Sequence, residues 1–208
     1  MTDVNVFHGE WDDEGVYFYQ AYCDDIAAWA VEHQALGGPL FKPTRMTWIK
    51  PSLAWMLYRS GYAQKHSQTA ILKIKLSHSA VAALLNECTC KHGGGGGWGR
   101  VQWDPARDLL MAEKDGQKFV PRKMTQRAIQ IGLKGHLSEK YVASILSIED
   151  VTPLVLMIQE AHSQKTEKEI RSRIEKMQNL LPLEREYLPA CDLSKLEELG
   201  MKSKSEQN

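Results

Sequence analysis

Apolar and polar positions along this chain follow two rhythms, one of two residues and one of three to four. Val16 to Ala21 is dense in aromatic and β-branched types, which predicts a strand. Asp24 and Asp25 then stand where carboxylates favour a helix N-terminus, and Ile26, Trp29, Ala30 and His33 follow at helical steps until Gly37-Gly38-Pro39. Thr44 to Lys50 alternates as a strand. Lys50 precedes a proline and is pushed toward extended backbone, while Pro51 suits the first turn of a helix running from Leu53 to Ser60 and ending at Gly61. Ala70 to Leu76 alternates apolar residues with lysine, the mark of a half-buried strand, and Ser77 or Ser79 can cap a short helix carrying Val81, Leu84 and Leu85.

Gly93 to Gly97 is an unbroken glycine run. It lacks the spaced glycines and following lysine of a phosphate-cradling loop and reads as a flexible surface loop. Arg100 to Asp104 and Gln126 to Leu133 are short strand candidates, and Asp104-Pro105 reads as a turn. Ser138 can cap a helix through Leu146, and Ile148 to Val151 reads as a last strand. Thr152-Pro153 opens another helix, and Thr166 with Glu169 has the spacing of a capping box. Ile170, Ile174, Met177 and Leu181 form a stripe that predicts packing on the helix's own domain; docking of a protein partner through the 166–181 helix is the second reading. Strands and helices mix without a regular βαβ beat, and no G-x-G-x-x-G follows a strand. The expected class is α+β, with a mixed, mostly antiparallel sheet flanked by helices and a helical C-terminal segment. A flexible acidic lead-in (residues 1–15), one α+β domain (16–190) and a C-terminal helix with a polar tail (191–208) complete the expected organisation.

At 208 residues with 43% hydrophobic content, the chain can build a core without disulfides or metals. Its 26 basic and 26 acidic residues balance, which argues against a generic DNA-coating protein yet leaves room for a local basic patch. No apolar run approaches the roughly eighteen residues of a membrane span, and Met1 to Glu14 does not resemble a targeting peptide. The expectation is a soluble, intracellular protein, cytoplasmic or nuclear, with no membrane partner. Cys88-Thr89-Cys90-Lys91-His92 resembles a soft-metal cluster, but Cys23 and Cys191 bring no second ligand pair, so no metal site is expected.

The chemistry concentrates between Arg45 and Arg59. Arg45, Lys50 and Arg59 supply cations, Thr47 and Ser52 hydroxyls, and Trp48, Trp55 and Tyr58 aromatic planes. Phosphates call for forked or point cations, and bases or nicotinamide call for aromatic planes. Ser52 also lies near a helix N-terminus, where free N–H groups attract anions. The competing account makes Trp48 and Trp55 core residues and Arg45 and Lys50 solvated edges. Asp104, beside Arg107, reads as a cap or turn residue. Gln130, set among apolar residues, must find hydrogen-bond partners and would either orient a ligand or tie strands together.

The strings Arg-Met-Thr-Trp-Ile-Lys-Pro-Ser (45–52), Tyr-Arg-Ser-Gly-Tyr (58–62), Val-Gln-Trp-Asp-Pro (101–105) and Arg-Ala-Ile-Gln-Ile-Gly-Leu (127–133) resemble an uncharacterised single-domain family of unknown function. A weaker resemblance, in element order and residue type, is to the ADP-ribosyltransferase fold. Tyr19-Gln20-Ala21 would hold its first strand position, Lys50-Pro51-Ser52 through Tyr58 its second strand and helix, and Gln126 to Leu133 its last strand. Gln20 stands where that fold carries His or Arg, and no Glu-x-Glu occurs near Gln126 to Gln130. That resemblance implies a nucleotide-handling protein, an ADP-ribosyltransferase-like transferase using NAD. Tyr58 and Gln130 would be its catalytic candidates, and Gln20, Arg45, Thr47, Trp48, Lys50, Ser52, Arg59 and Arg127 would hold the cofactor. The alternative is a non-catalytic RNA- or protein-binding module in which the same cations contact a nucleic-acid phosphate.

Overall fold

The structure, a computed structural model, describes residues 5–90 and 97–201. The chain runs β1 (His8–Gly9), β2 (Gly15–Tyr22), α1 (Asp24–His33), β3 (Thr47–Ile49), α2 (Leu53–Ser60), β4 (Ala70–Ser77), α3 (His78–Asn86) and β5 (Cys88–Cys90). It continues through β6 (Gly99–Asp115), β7 (Lys118–Leu133), α4 (His136–Ala143), β8 (Ile145–Asp150), α5 (Thr152–His162), α6 (Glu167–Lys176), β9 (Arg185–Glu186) and α7 (Leu193–Glu198). The class is α+β, and every strand pairing is antiparallel except β5 with β6.

Two sheets carry the architecture, one ordered β2-β4-β8 and one ordered β3-β7-β6-β5. The alternation of β4 works as its lysines imply. Leu72, Ile74 and Leu76 face one core with Val16 and Phe18, while Lys73 and Lys75 face the other side. There Glu10 takes Lys73 at 2.8 Å, and Asp12 and Glu14 take Lys75 at 2.9 and 2.5 Å. The acidic segment expected as a flexible lead-in is thus the counter-charge of β4, and Phe7 beside it is buried in the core. Met1 to Val4 lie outside the described residues.

A second core gathers Tyr19, Leu53, Leu57, Ile71, Met111, Val155 and Ile158 between α2, α5 and the outer hairpin. The stripe of α6 is spent here: Ile170, Ile174 and Met177 are buried in it, behind a complete Thr166–Glu169 capping box. Beyond residue 190, Leu196 and Leu199 are core residues, so α7 belongs to the body of the domain.

Local propensity is overridden at Asp104-Pro105, which is no turn. It lies inside the 17-residue β6, opposite Ala128 and Arg127 of β7. The ladder shifts register between Pro105 and Arg107, the kind of irregularity at which a residue without an N–H is tolerated. The helix from Ser138 begins earlier, at His136, and stops at Ala143, so that β8 takes Ile145 and Leu146. Of the glycine run, Gly93 to Gly96 lie outside the described residues, as do Lys91, His92 and the tail after Met201. Among the described residues no helix is long and apolar enough to cross a membrane.

His162, at the end of α5, joins the hairpin to the second core. Its Nε2 lies 3.1 Å from the Leu109 carbonyl, which can only accept, so Nε2 carries the proton and Nδ1 accepts from the Tyr62 hydroxyl at 2.9 Å. Burial holds this imidazole neutral and lowers its pKa to about 4, against the opposing pull of the Leu109 carbonyl and Asp108. A histidine depressed in the folded state lets the unfolded chain bind more protons, so its contribution is complete above its ordinary pKa of 6.5 and is lost as pH falls toward about 4. Urea unfolding should show this residue removing about 3 kcal/mol over that interval. His162→Gln should lose less stability than the wild type between the two ends; equal losses would show that His162 does not carry the effect.

Candidate functional site

Among the described residues the two sheets share a core, and one backbone bridge joins their edges. Tyr19 N–H donates to the Lys50 carbonyl at 2.7 Å, and beyond that joint β2 and β3 splay apart. Gln20, the next residue on β2, spans the gap. Its amide nitrogen donates to Thr47 Oγ1 at 2.6 Å and to the Trp48 carbonyl at 3.2 Å. Its amide oxygen accepts from the hydroxyls of Tyr141, at 2.6 Å, and Tyr22, at 3.2 Å. All four hydrogen-bonding sites of the amide are filled. Gln20 is therefore a buried strut that places Thr47 and Trp48, and it has nothing left for a ligand.

A cleft of about 690 Å³ opens in the splay. Gln20 to Cys23 form one wall and Thr47, Trp48 and Lys50 the other, with Met56 and Arg59 of α2 behind and the 40–46 loop across the mouth. The cations Lys42, Arg45, Lys50 and Arg59 line it, and among the described residues no carboxylate does. None of the four takes part in an ion pair among the described residues. Aromatic surface comes from Tyr22, Phe41 and Trp48. The Trp48 indole lies on Gly132, directly opposite on β7, where a Cβ would stand 2.9 Å from the ring. A bare glycine lets the indole lie flat against the sheet.

Lys50 is a strongly perturbed cation of the cleft. Burial lowers its pKa to about 8, the Arg59 charge pushes the same way, and Asp104 opposes both. Its ammonium sits 5.1 Å from the centre of the Trp55 ring. Asp104 is in turn held from both sides, by the Gln102 amide on one oxygen at 3.2 Å and by the Gln130 amide on the other.

Of the residues singled out from sequence, Gln20, Arg45, Thr47, Trp48, Lys50 and Arg59 meet at this cleft. The others do different work. Ser52 caps α2 by accepting from Trp55 N–H at 3.4 Å. Glu184 accepts from Leu53 N–H at 2.8 Å on the same helix end. Tyr58 lies beneath the Arg107 guanidinium, 3.6 Å from its ring centre, and Gln130 is turned onto Asp104, so these two do not converge on a common reacting point. Arg127 pairs with Pro105, farther out along β7. Trp55 meets Lys50 and Tyr58 and does not stack with Arg59. The sequence reading passed over Phe41 and Lys42, which sit in an irregular loop without periodicity; the density of Lys42 and Arg45 around Pro43 was the available signal.

Among the described residues no group of His, Cys, Asp and Glu is arranged to hold a metal ion. Cys88 is buried, with its pKa pushed up to about 12 by burial, and its thiol donates to the Leu84 carbonyl at 3.2 Å.

The chain belongs to the DUF4291 family, a domain of unknown function, whose pattern matches residues 7–187. No curated protein matches the chain. The family match fixes membership and names no activity.

The electrostatics of Lys50 give opposite signs for two neighbours. Arg59→Gln removes a like charge, so the Lys50 midpoint should move up from about 8. Asp104→Asn removes the opposing charge, and the midpoint should move down. NMR titration of the lysine Nζ signals reads both directions, and identical midpoints in the two variants would refute this arrangement.

Proposed function

We propose that the cleft receives the phosphates of a nucleotide and that NAD is its ligand. The observation that carries the reading is the convergence of Lys42, Arg45, Lys50 and Arg59 on one cleft that, among the described residues, no carboxylate lines. Clustered cations without counter-ions repel one another, and an anion between them relieves that cost. The arginines offer forks matched to phosphate oxygens, and Lys50 offers a point charge deep in the cleft. Trp48, backed by Gly132, offers a flat face to a base or to nicotinamide. The volume of about 690 Å³ suits a ligand of nucleotide size.

The transferase reading adds one group. When bound, NAD would supply an electrophilic ribose carbon joined to nicotinamide, and chemistry there calls for a carboxylate nearby. Asp104 is the carboxylate whose charge reaches Lys50, and its two oxygens are already oriented by Gln102 and Gln130. Gln130 would then act as a positioning residue. A binding protein without turnover is the other outcome. Asp104→Asn separates them, because a transferase loses nicotinamide release in that variant while NAD is still bound.

Calorimetry with NAD, ADP and pyrophosphate tests the reading. The wild type should bind, and Arg45→Ala should weaken binding by about tenfold or more, the usual worth of a charge-assisted hydrogen bond. Lys50 must be protonated to hold a phosphate, so affinity should be greatest below about pH 8 and decline above it. Near that pH, binding should take up protons and make the measured heat depend on the buffer. Absence of binding by all three ligands, or an unchanged affinity in Arg45→Ala, overturns the proposal.

A further inference from the structure

The cleft is one end of a larger surface. In an antiparallel sheet, directly paired residues point to the same face. Trp48, Gly132 and Arg100 form one row across β3, β7 and β6. Gln130 and Gln102 form the next, with Lys50 continuing the alternation of β3, and Ala128 with Asp104 follow. In the other direction Lys134 N–H donates to the Trp98 carbonyl at 2.9 Å, which extends the ladder by a row. The Lys134 ammonium lies 5.8 Å from the Trp98 ring centre, confirming that both side chains share this face. The opposite face, with Val101, Ile129, Ile131 and Leu133, is buried core.

This face carries an indole at each end of a cationic track. Trp98 is 52% exposed. Its ring rests on Gly135, where a Cβ would come within 2.5 Å, so one side of the indole is supported by backbone. Arg100 is exposed, Lys134 is half-buried, and neither takes part in an ion pair among the described residues. Asp104 on this face is held by the two glutamine amides, and Glu87 is paired with His136 and Lys140, each at 2.8 Å.

We propose that this sheet face, from Trp98 across Arg100 and Lys134 to Trp48, binds single-stranded RNA. The cations match a phosphate backbone, and supported indoles are the stacking platforms that unpaired bases use. The two glutamines point to ribose. Each amide nitrogen gives one hydrogen to Asp104, and among the described residues neither side-chain oxygen receives a donor. They remain acceptors for a 2′-hydroxyl, which deoxyribose lacks. The inference goes beyond the nucleotide cleft: it shares Trp48 with it and adds Trp98, Arg100 and Lys134.

Fluorescence anisotropy with a labelled, unstructured RNA 12-mer tests it, beside a DNA 12-mer, an RNA duplex and an acidic peptide of equal length. The full-length protein should bind the single-stranded RNA, more tightly than the other three, with an affinity that falls steeply with salt. Trp98→Ala should weaken binding about tenfold, and Trp98→Phe, which keeps a stacking ring, should restore most of it. The Arg100→Gln/Lys134→Gln double variant should flatten the salt dependence. NAD binding should be unchanged in the Trp98 and Arg100/Lys134 variants, and Arg45→Ala should weaken NAD before RNA, so the two proposals can fail separately. Equal binding of DNA or duplex, stronger binding of the acidic peptide, absence of RNA binding, or indifference to Trp98→Ala overturns the proposal.

Discussion

One buried amide fixes the geometry of the cleft. The two sheets share one packed core, and where β2 and β3 part beyond the Tyr19–Lys50 bridge something must fix their separation. Gln20 does so with four hydrogen bonds, two to the start of β3 and two to tyrosine hydroxyls from different parts of the chain. A buried amide with every site filled is worth more than its separate bonds, because losing one partner strands a polar group away from water. Gln20 thereby holds the walls of the cleft apart and fixes the start of β3, so Trp48 stays seated on Gly132.

The electrostatic character of the cleft follows from where carboxylates are absent. Elsewhere, several cations that lie partly out of solvent are matched: Lys73 and Lys75 by the acidic N-terminal segment, Arg107 by Glu113, Lys195 by Glu198. The overall balance of 26 against 26 is therefore unevenly distributed. Around the splay, positive charge stands without partners, and Lys50 is the member whose protonation responds. An arginine at that position would remain charged under all ordinary conditions; an ammonium can be tuned by burial and by its neighbours.

The legible part of the site was the part carried by nearby residues. Arg45, Thr47, Trp48, Lys50 and Arg59 fall within fifteen positions, so one strand, one proline-led helix and the break between them were enough to bring them together. Within α2, about 100° of rotation separates successive residues, and sequence could not say that Arg59 faces the cleft while Tyr58 turns to Arg107. Gln20, Gln102, Asp104 and Gln130 depended on long-range pairing. Nothing local shows that Gln20 is saturated, or that Asp104 is held by glutamines from two strands. Asp104-Pro105 looked like a turn because local chemistry favours one there, and the long β6–β7 ladder outweighed it. The α+β class, the lysine-alternating β4 and the α6 capping box were all visible, since each repeats a short-range rule.

Trp48 and Lys50 belong to both surfaces, and that overlap constrains the chemistry. Trp48 ends the sheet-face row that contains Arg100, and it also forms a wall of the cleft. Lys50 stands on the same alternation beside Gln130 and feels the charges of Arg59, within the cleft, and Asp104, on the sheet face. A phosphate brought to Lys50 would raise its affinity for a proton, and Asp104, whose partners are the buried Gln130 and the half-buried Gln102, would feel that charge. The coupling needs no moving loop. If the cleft takes a phosphate as proposed, the coupling would run through one ammonium, one carboxylate and two amides whose backbones are fixed in adjacent strands.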